Sequence, residues 1–202
     1  MPNKKITDEQ EKIVKDSYCS GMTGSQISDQ IGVSLKQVYS SLRRQQVPRK
    51  SAREQNKILF DKKPLSYHFK ENLSLSEREL LIAAVMLYYG EGAKNGVTVD
   101  LANSDEKIAK LFIKFLRQVC CVDEKRLRLY LYCFADQDQM MLINYWSSQL
   151  KVEKKQFTKP YVRSTLNRGA RSMPHGVIHV RYSDKKLLEK ILSLCSGLIS
   201  SL

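Results

Sequence analysis

Several common protein classes are excluded by what the chain lacks. Its five cysteines, Cys19, Cys120, Cys121, Cys133 and Cys195, are odd in number, and none belongs to a C-x-x-C pair. That argues against a disulfide framework or a zinc knuckle and for reduced thiols. The longest apolar run, Leu80 to Tyr89, falls well short of the ~20 residues a membrane-spanning helix needs. Met1 to Lys5 is charged rather than apolar, so no signal peptide is expected. No glycine-rich phosphate loop, Ser-His-Asp arrangement or recombinase-type nucleophile context occurs. Negative charge is also short: 21 Asp and Glu stand against 34 Lys and Arg, a net charge of +13. The excess is +6 over residues 1–75 and +7 over the rest, so it is not one basic tail. A polyanion such as nucleic acid is the partner this balance implies, in a cytoplasmic setting (bacterial, phage or organellar, and nucleoid-associated when DNA-bound).

What is present begins with three short helices over residues 7–45. Thr7 and Gln10 make a capping box, and Ile13, Val14 and Tyr18 form the first apolar stripe, ended by Gly21. A second helix is predicted from Gly24 to Ile31, with Ile27 and Ile31 inward. Gly32-Val33-Ser34 turns the chain, and Ser34 caps a third helix whose Val38 and Leu42 face the core. With small Ser28 where the helices must touch, this spacing resembles the helix-turn-helix of resolvase and invertase DNA-binding domains. The resemblance implies that residues 1–46 place the third helix in the major groove. Its outer residues are Lys36, Gln37, Ser40, Ser41, Arg43 and Arg44, with Gln37 suited to adenine and Arg44 to guanine or phosphate. Residues 47–75 read as a basic linker. Pro48 ends the helix, and Arg53, Lys57, Lys62, Lys63 and Lys70 alternate with Phe60, Tyr67 and Phe69.

The third segment, residues 76–202, opens with Ser76 and Glu79 as a capping box. The apolar run Leu80–Tyr89 follows and ends in Gly90-Glu91-Gly92. A helix with no polar face is expected to be buried on all sides. An acid at its C-terminal end opposes the helix dipole unless a cation is present. Beyond it, Asn95-Gly96 signals a hairpin, and Val97, Val99 and Leu101 alternate as a strand. Asn103 or Ser104 caps a helix with its apolar stripe at Ile108, Leu111, Phe112, Phe115, Leu116 and Val119. Residues 125–132 form a strand with Leu127, Leu129 and Leu131 on one face and Arg126, Arg128, Tyr130 and Tyr132 on the other. A helix over 136–150 carries Trp146 to the core. An extended stretch over 154–163 and a strand over 176–182 precede a closing helix started by Asp184. His175 and His179, four apart on a strand, lie about 13 Å from each other, too far to share an ion, and read as surface histidines.

Ala84 to Gly92 resembles the signature of the LAGLIDADG homing endonucleases, with Glu91 at the acid position. The resemblance implies an α+β domain of αββαββα type, here with an extra helix. It implies a homodimer formed through residues 80–90, with Ala83, Ala84, Leu87 and Tyr88 at the interface. Glu91 and the Gly90 carbonyl are then the ligands of Mg2+ or another divalent cation. Lys159 is the candidate catalytic basic residue near the metal's water, and Lys94, Arg126, Arg128, Lys155, Arg163, Arg168, Arg171 and Arg181 are the DNA contacts of a curved antiparallel saddle. The implied activity is site-specific cleavage of double-stranded DNA. The extra helix is a departure shared by WhiA-type transcription regulators, which resemble the same fold without cutting, so a non-cleaving DNA-binding regulator is the alternative. A structural or RNA-binding module is a weaker third reading, since no aromatic RNP-like motif supports it.

Overall fold

A computed structural model of the chain describes residues 6–164 and 173–201, so Arg168 and Arg171 lie outside the described residues. Among the described residues are eight α-helices and one four-stranded mixed sheet. They divide into two compact units, Met1–Pro64 and Leu65–Leu202.

The first unit is helical: α1 (Asp8–Cys19), α2 (Gly24–Ile31), α3 (Leu35–Arg44) and α4 (Ala52–Lys62). Each starts with the same device. Thr7, Thr23, Ser34 and Ser51 accept from the third helical amide, and Gln10, Gln26, Gln37 and Glu54 reach back to the cap amide. Two orphan donors are satisfied at each start. Val14, Tyr18, Ile27, Val38 and Leu42 form the core, whereas Ile13, expected in the stripe, is exposed. Gly32 turns the chain between α2 and α3 at φ 68°, a left-handed conformation that favours glycine, and the Ser28 hydroxyl donates to the Val33 carbonyl.

Residues 47–64 do not form a free connector. Val47 packs against the core of the first unit. The Lys50 amide donates to the Tyr18 hydroxyl at 2.9 Å, and the Lys62 ammonium to the Ser20 carbonyl at 3.1 Å. Residues 65–73 belong to the second unit instead. The His68 and Lys70 amides donate to the Cys120 and Val119 carbonyls at 3.1 and 2.9 Å, and Tyr67 bridges to Val122.

The second unit contains α5 (Leu75–Glu91), β1 (Val99–Asn103), α6 (Glu106–Gln118), β2 (Leu127–Phe134), α7 (Gln139–Leu150), β3 (Tyr161–Arg163), β4 (Val177–Tyr182) and α8 (Lys185–Ser200). The α5 cap is Ser74 with Glu77, two residues before the predicted Ser76 and Glu79. Lys70 selects the earlier box: its ammonium meets Glu77 at 2.7 Å and, with the Ser74 amide, holds that carboxyl down to about 2. Asp105, rather than Asn103 or Ser104, caps α6.

The strand order is β1-β4-β2-β3. β4 runs antiparallel to β1 and β2, and β3 joins β2 in parallel, so the sheet is mixed rather than purely antiparallel. After α5 there is one named strand and not two. The second is reduced to a bridge between Gly92 and Leu101 and a 2.9 Å bond from the Ala93 amide to the Asp100 carbonyl. Val97, expected on the strand, is exposed.

Alternation decides which face is core. Val99, Leu101, Leu127, Leu129, Leu131, Ile178, Val180 and Tyr182 are fully buried. Against them pack Ala84, Val85 and Tyr88 of α5, Phe112, Phe115 and Leu116 of α6, Trp146 of α7 and Leu187, Leu188 and Ile191 of α8. All four helices of this unit thus contribute to the core on one face of the sheet.

The helix α5 is not buried all round. Its core side is Ala84, Val85 and Tyr88, while Ile82, Ala83, Met86, Tyr89, Gly90 and Glu91 are exposed. An apolar run without periodicity does not reveal that one side faces water. The Tyr88 ring stacks on Phe112 with centroids 5.5 Å apart. Its hydroxyl donates to the Ala93 carbonyl at 2.6 Å and accepts from the Asp100 amide at 3.3 Å. Burial pushes that hydroxyl up to about 12. Gly92 lies against the same ring, and a Cβ there would come within 2.4 Å of it, whereas a Cβ on Gly90 would meet nothing within 4 Å.

This contrast sets a stability test. Gly92→Ala forces Tyr88 from its seat and is expected to cost about 1–3 kcal/mol. Gly90→Ala, whose Cβ meets nothing within its own chain, is expected to cost less than Gly92→Ala. Urea unfolding of the two variants beside wild type checks the order; equal effects would remove the Tyr88–Gly92 contact from the account.

Candidate nucleic-acid interface

The other face of the sheet is where polar and aromatic side chains collect. The pairing aligns Asp100, Arg181 and Arg128 in one row across β1, β4 and β2. The next row is Ala102, His179 and Tyr130, and the third is Val177, Tyr132 and Tyr161. Arg163 stands opposite Phe134 at the β3 edge. These side chains are partly or fully exposed.

Asp100 organises the first two rows. One oxygen meets His179 Nδ1 at 2.9 Å and the other accepts from Arg181 Nε at 2.7 Å. Burial alone would raise this carboxyl, but the hydrogen bonds and charges of His179 and Arg181 together hold it below the usual carboxylate range. The Arg181 guanidinium lies 4.6 Å above the Tyr130 ring centroid, a cation–π contact. Tyr132 sits at the centre of a ring cluster, 4.8 Å from His179, 4.9 Å from Tyr161 and 5.0 Å from Tyr130.

The basic residues expected to contact DNA are disposed in different ways. Arg128 lies on this face but donates to the Lys125 and Leu127 carbonyls at 2.6 and 2.9 Å, and Arg181 is held by Asp100. Arg126 sits in a 3-10 turn before β2, donates to the Ser183 carbonyl at 2.6 Å and stacks over Tyr182, so it anchors the unit instead of extending outward. Lys155 is exposed and pairs with Glu153 at 2.6 Å. Lys94, Lys159 and Arg163 are exposed, and the Lys94 ammonium lies 5.7 Å from the Tyr89 ring centroid.

On the first unit, Lys36, Gln37, Ser40 and Arg44 line an open cleft with Ile6, Glu11 and Ser34. Lys36, Ser40 and Arg43 are exposed. Ser41 is fully buried and accepts from the Gln45 amide nitrogen at 3.0 Å, so it does not belong to the outer face. The Gln37 side-chain oxygen accepts from the Ser34 amide and hydroxyl at 2.9 and 2.8 Å. It is spent on the cap, which competes with bidentate adenine recognition. Arg44 is tied to Glu11 by two hydrogen bonds from one guanidinium.

The α5 tip supplies Glu91, exposed, one residue before the bridge to β1. Among the described residues no group of three or more His, Cys, Asp or Glu is placed to hold a metal ion. One carboxylate and one backbone carbonyl, Gly90, do not make a closed site. They suit only a shared one, in which water, phosphate oxygens and a second carboxylate complete the oxygen shell that Mg2+ prefers. Of the expected interface residues, Ala83 is exposed and Leu87 half-buried, while Ala84 and Tyr88 face the protein's own core and are not free to meet a partner.

Asp100 and Tyr161 were not anticipated as site residues, and His179 was expected to be an ordinary surface histidine. Alternation puts each on a strand face, but their meeting depends on cross-strand register over dozens of residues. No described helix is long and apolar enough to cross a membrane. Comparison with protein-family models, curated proteins and solved structures finds no match to this chain.

Because the folded Asp100 carboxyl is held low, its contribution to stability is complete above the ordinary carboxylate range and is lost as pH falls through its folded value. Asp100→Asn is therefore expected to be about 1–3 kcal/mol less stable than wild type near neutrality, with the gap closing in acid. Thermal melts across a pH series check this; a gap independent of pH would show that the ion pairs carry none of it.

Proposed function

We propose that this is a DNA-binding protein whose first unit docks duplex DNA through α3 and whose second unit acts on the bound nucleic acid as a homodimeric, divalent-cation-dependent endonuclease. The reading is carried by one observation: α5 leaves an apolar side exposed, Ile82, Ala83, Met86, Tyr89 and Gly90, and the helix ends on the exposed carboxylate Glu91. A second copy packed on that side buries the apolar stripe and, where the C-terminal ends of the two helices meet, places one Glu91 from each chain at that end. The small residues Ala83 and Gly90 allow close approach, and a Cβ at Gly90 has open space ahead of it.

Further support comes from element order. If the Gly92–Leu101 bridge is counted as a vestigial strand, the second unit reads helix, two strands, helix, two strands, helix, with α7 and β3 inserted between β2 and β4. That order resembles the αββαββα pattern of LAGLIDADG-like domains. In the first unit, α2, a three-residue turn and α3 have the spacing of a helix-turn-helix. Lys36, Ser40 and Arg43 are its outward groups, and Arg44 and Gln37 are partly committed within the unit.

In this reading each chain offers Glu91 and the Gly90 carbonyl to the cation, and phosphate and water supply the remaining ligands. A bound divalent cation supplies an activated water and stabilises the leaving oxygen. Lys94, Lys159 and Arg163 offer positive charge for phosphate. The alternative is a DNA-binding regulator without cleavage. It is favoured by the absence, among the described residues, of a metal-holding group within one chain.

A duplex recovered from a random library by binding to the full chain, then incubated with Mg2+, separates the two. The nuclease reading expects strand breaks that vanish in Glu91→Gln with binding unchanged. It also expects Met86→Glu to turn a dimer into a monomer in sedimentation and to abolish cutting. Uncut duplex bound equally by wild type and Glu91→Gln would establish the regulator instead. Lys36→Ala and Arg43→Ala are expected to weaken duplex binding and each to lower the salt slope by about 1.

A further inference from the structure

The sheet face of the second unit contains a feature that duplex binding does not use. Its hydrogen-bonding groups are largely spent inside the protein: His179 and Arg181 on Asp100, and Arg128 on two backbone carbonyls. Reading base edges in a duplex groove needs outward donors and acceptors, and this face has few. What it has is rings. Tyr132 stacks on His179 at an interplanar angle of 29° and lies 4.9 Å from Tyr161, and Tyr132 and Tyr161 are 36% and 50% exposed. The stack runs from β4 across β2 to β3, the last strand in the sheet order, so Tyr161 is its outer end. Arg163 follows two residues along the same strand, on the same face.

We propose that Tyr161, the outer end of the His179–Tyr132–Tyr161 stack, is a stacking platform for an unpaired base, with Tyr132 behind it holding the ring in place. The second unit then takes a single-stranded or locally opened segment, while the first unit takes the duplex. In a duplex the face of each base is covered by its neighbours. A protein ring stacks on a base only when the base is unstacked, and such stacking tolerates any sequence because every base has a π face. Asp100 has a positioning part in this. By fixing His179 and Arg181 it holds the inner end of the stack and the cation over Tyr130. Arg163 and Lys159 flank the outer end, where a phosphate backbone following the strip would pass. The inference rests on the nucleic-acid reading of this unit and is independent of cleavage. Unpaired bases come from DNA or from RNA; the rings do not distinguish them, and the sugar preference of binding names the source.

The test uses the full chain and fluorescence anisotropy with labelled oligothymidine and oligouridine of about 15 nucleotides, within the footprint a single groove covers, and a mixed-sequence duplex of the same length. Wild type is expected to bind duplex and at least one of the two single strands. The pair Tyr132→Ala and Tyr161→Ala is expected to weaken single-strand binding on the order of tenfold, with duplex binding little changed. Tyr132→Phe with Tyr161→Phe is expected to restore it, because the ring and not the hydroxyl does the stacking. Lys36→Ala with Arg43→Ala is expected to show the converse, losing duplex and keeping the single strand. A strand carrying 2-aminopurine gives a second readout: stacking quenches its fluorescence with wild type and with the phenylalanine pair, and not with the alanine pair. Duplex binding without single-strand binding, or single-strand affinity and quenching unchanged in the alanine pair, overturns the platform and leaves the duplex reading standing. Binding of neither overturns the nucleic-acid reading and the platform with it.

Discussion

The second unit depends on the seat of Tyr88. This one side chain closes the end of α5 against two other elements: its ring lies on Phe112 of α6, and its hydroxyl joins the Ala93 carbonyl to the Asp100 amide. A buried hydroxyl must find partners or forfeit roughly 1–3 kcal/mol, and here it bonds both sides of the loop that leads into β1. Gly92 is the complement of that ring, since any side chain there would occupy its space. Three consequences follow from one contact. The helix stops where it does, Glu91 stands just outside the core, and β1 enters the sheet with Asp100 on the outer face.

From Asp100 the constraint passes to the surface. A carboxylate with one oxygen on His179 and the other on Arg181 fixes two side chains of β4 in orientation. Those in turn stand against Tyr130 and Tyr132 of β2. The polar face of the sheet is therefore ordered rather than merely solvated, and the order is achieved by consuming its own donors. The result is a surface with positive charge at its margins and aromatic rings at its centre. The first unit is built the opposite way. Its α3 exposes Lys36, Ser40 and Arg43 with no ring among them, which suits phosphates and groove edges.

Helix starts were the most legible part of this sequence, and the reason is chemical. A hydroxyl followed three residues later by Gln or Glu satisfies two orphan amides, and five successive helices begin this way. Ser51 and Glu54 carry the same signal, but Pro48 and the run of lysines beyond make the stretch look like a connector, although it folds as α4. At α5 two overlapping boxes compete, and the choice between them is made by Lys70, outside the helix. Strand alternation foretold the buried Leu127, Leu129 and Leu131 and the outward Arg128, Tyr130 and Tyr132. It gave no register, so the meeting of Asp100 with His179 and Arg181, some eighty residues away, was not readable. Nor was the mixed character of the sheet, because β3 is three residues long and joins β2 after a helix has intervened.

The sharpest misreading concerns α5, and its correction carries the functional argument. An apolar run of ten residues reads as burial on every side, yet only Ala84, Val85 and Tyr88 are fully enclosed. The opposite side leaves Ile82, Met86 and Tyr89 to water at 50%, 37% and 47% exposure. A helix that serves only its own core has no use for such residues there; Lys or Glu would keep the helix and improve solubility. Exposed apolar area is worth about 25 cal/mol per Å² once removed from water, so a continuous stripe of this kind represents a driving force for association. Its spacing, 82, 83, 86, 89 and 90, follows one side of a helix, and small residues at 83 and 90 lower the barrier to close backbone approach. The same helix ends at the only acid in its last three turns, Glu91. Glu91 itself lies round the helix from that stripe, so what the two share is the exposed C-terminal end of α5 rather than one helical line.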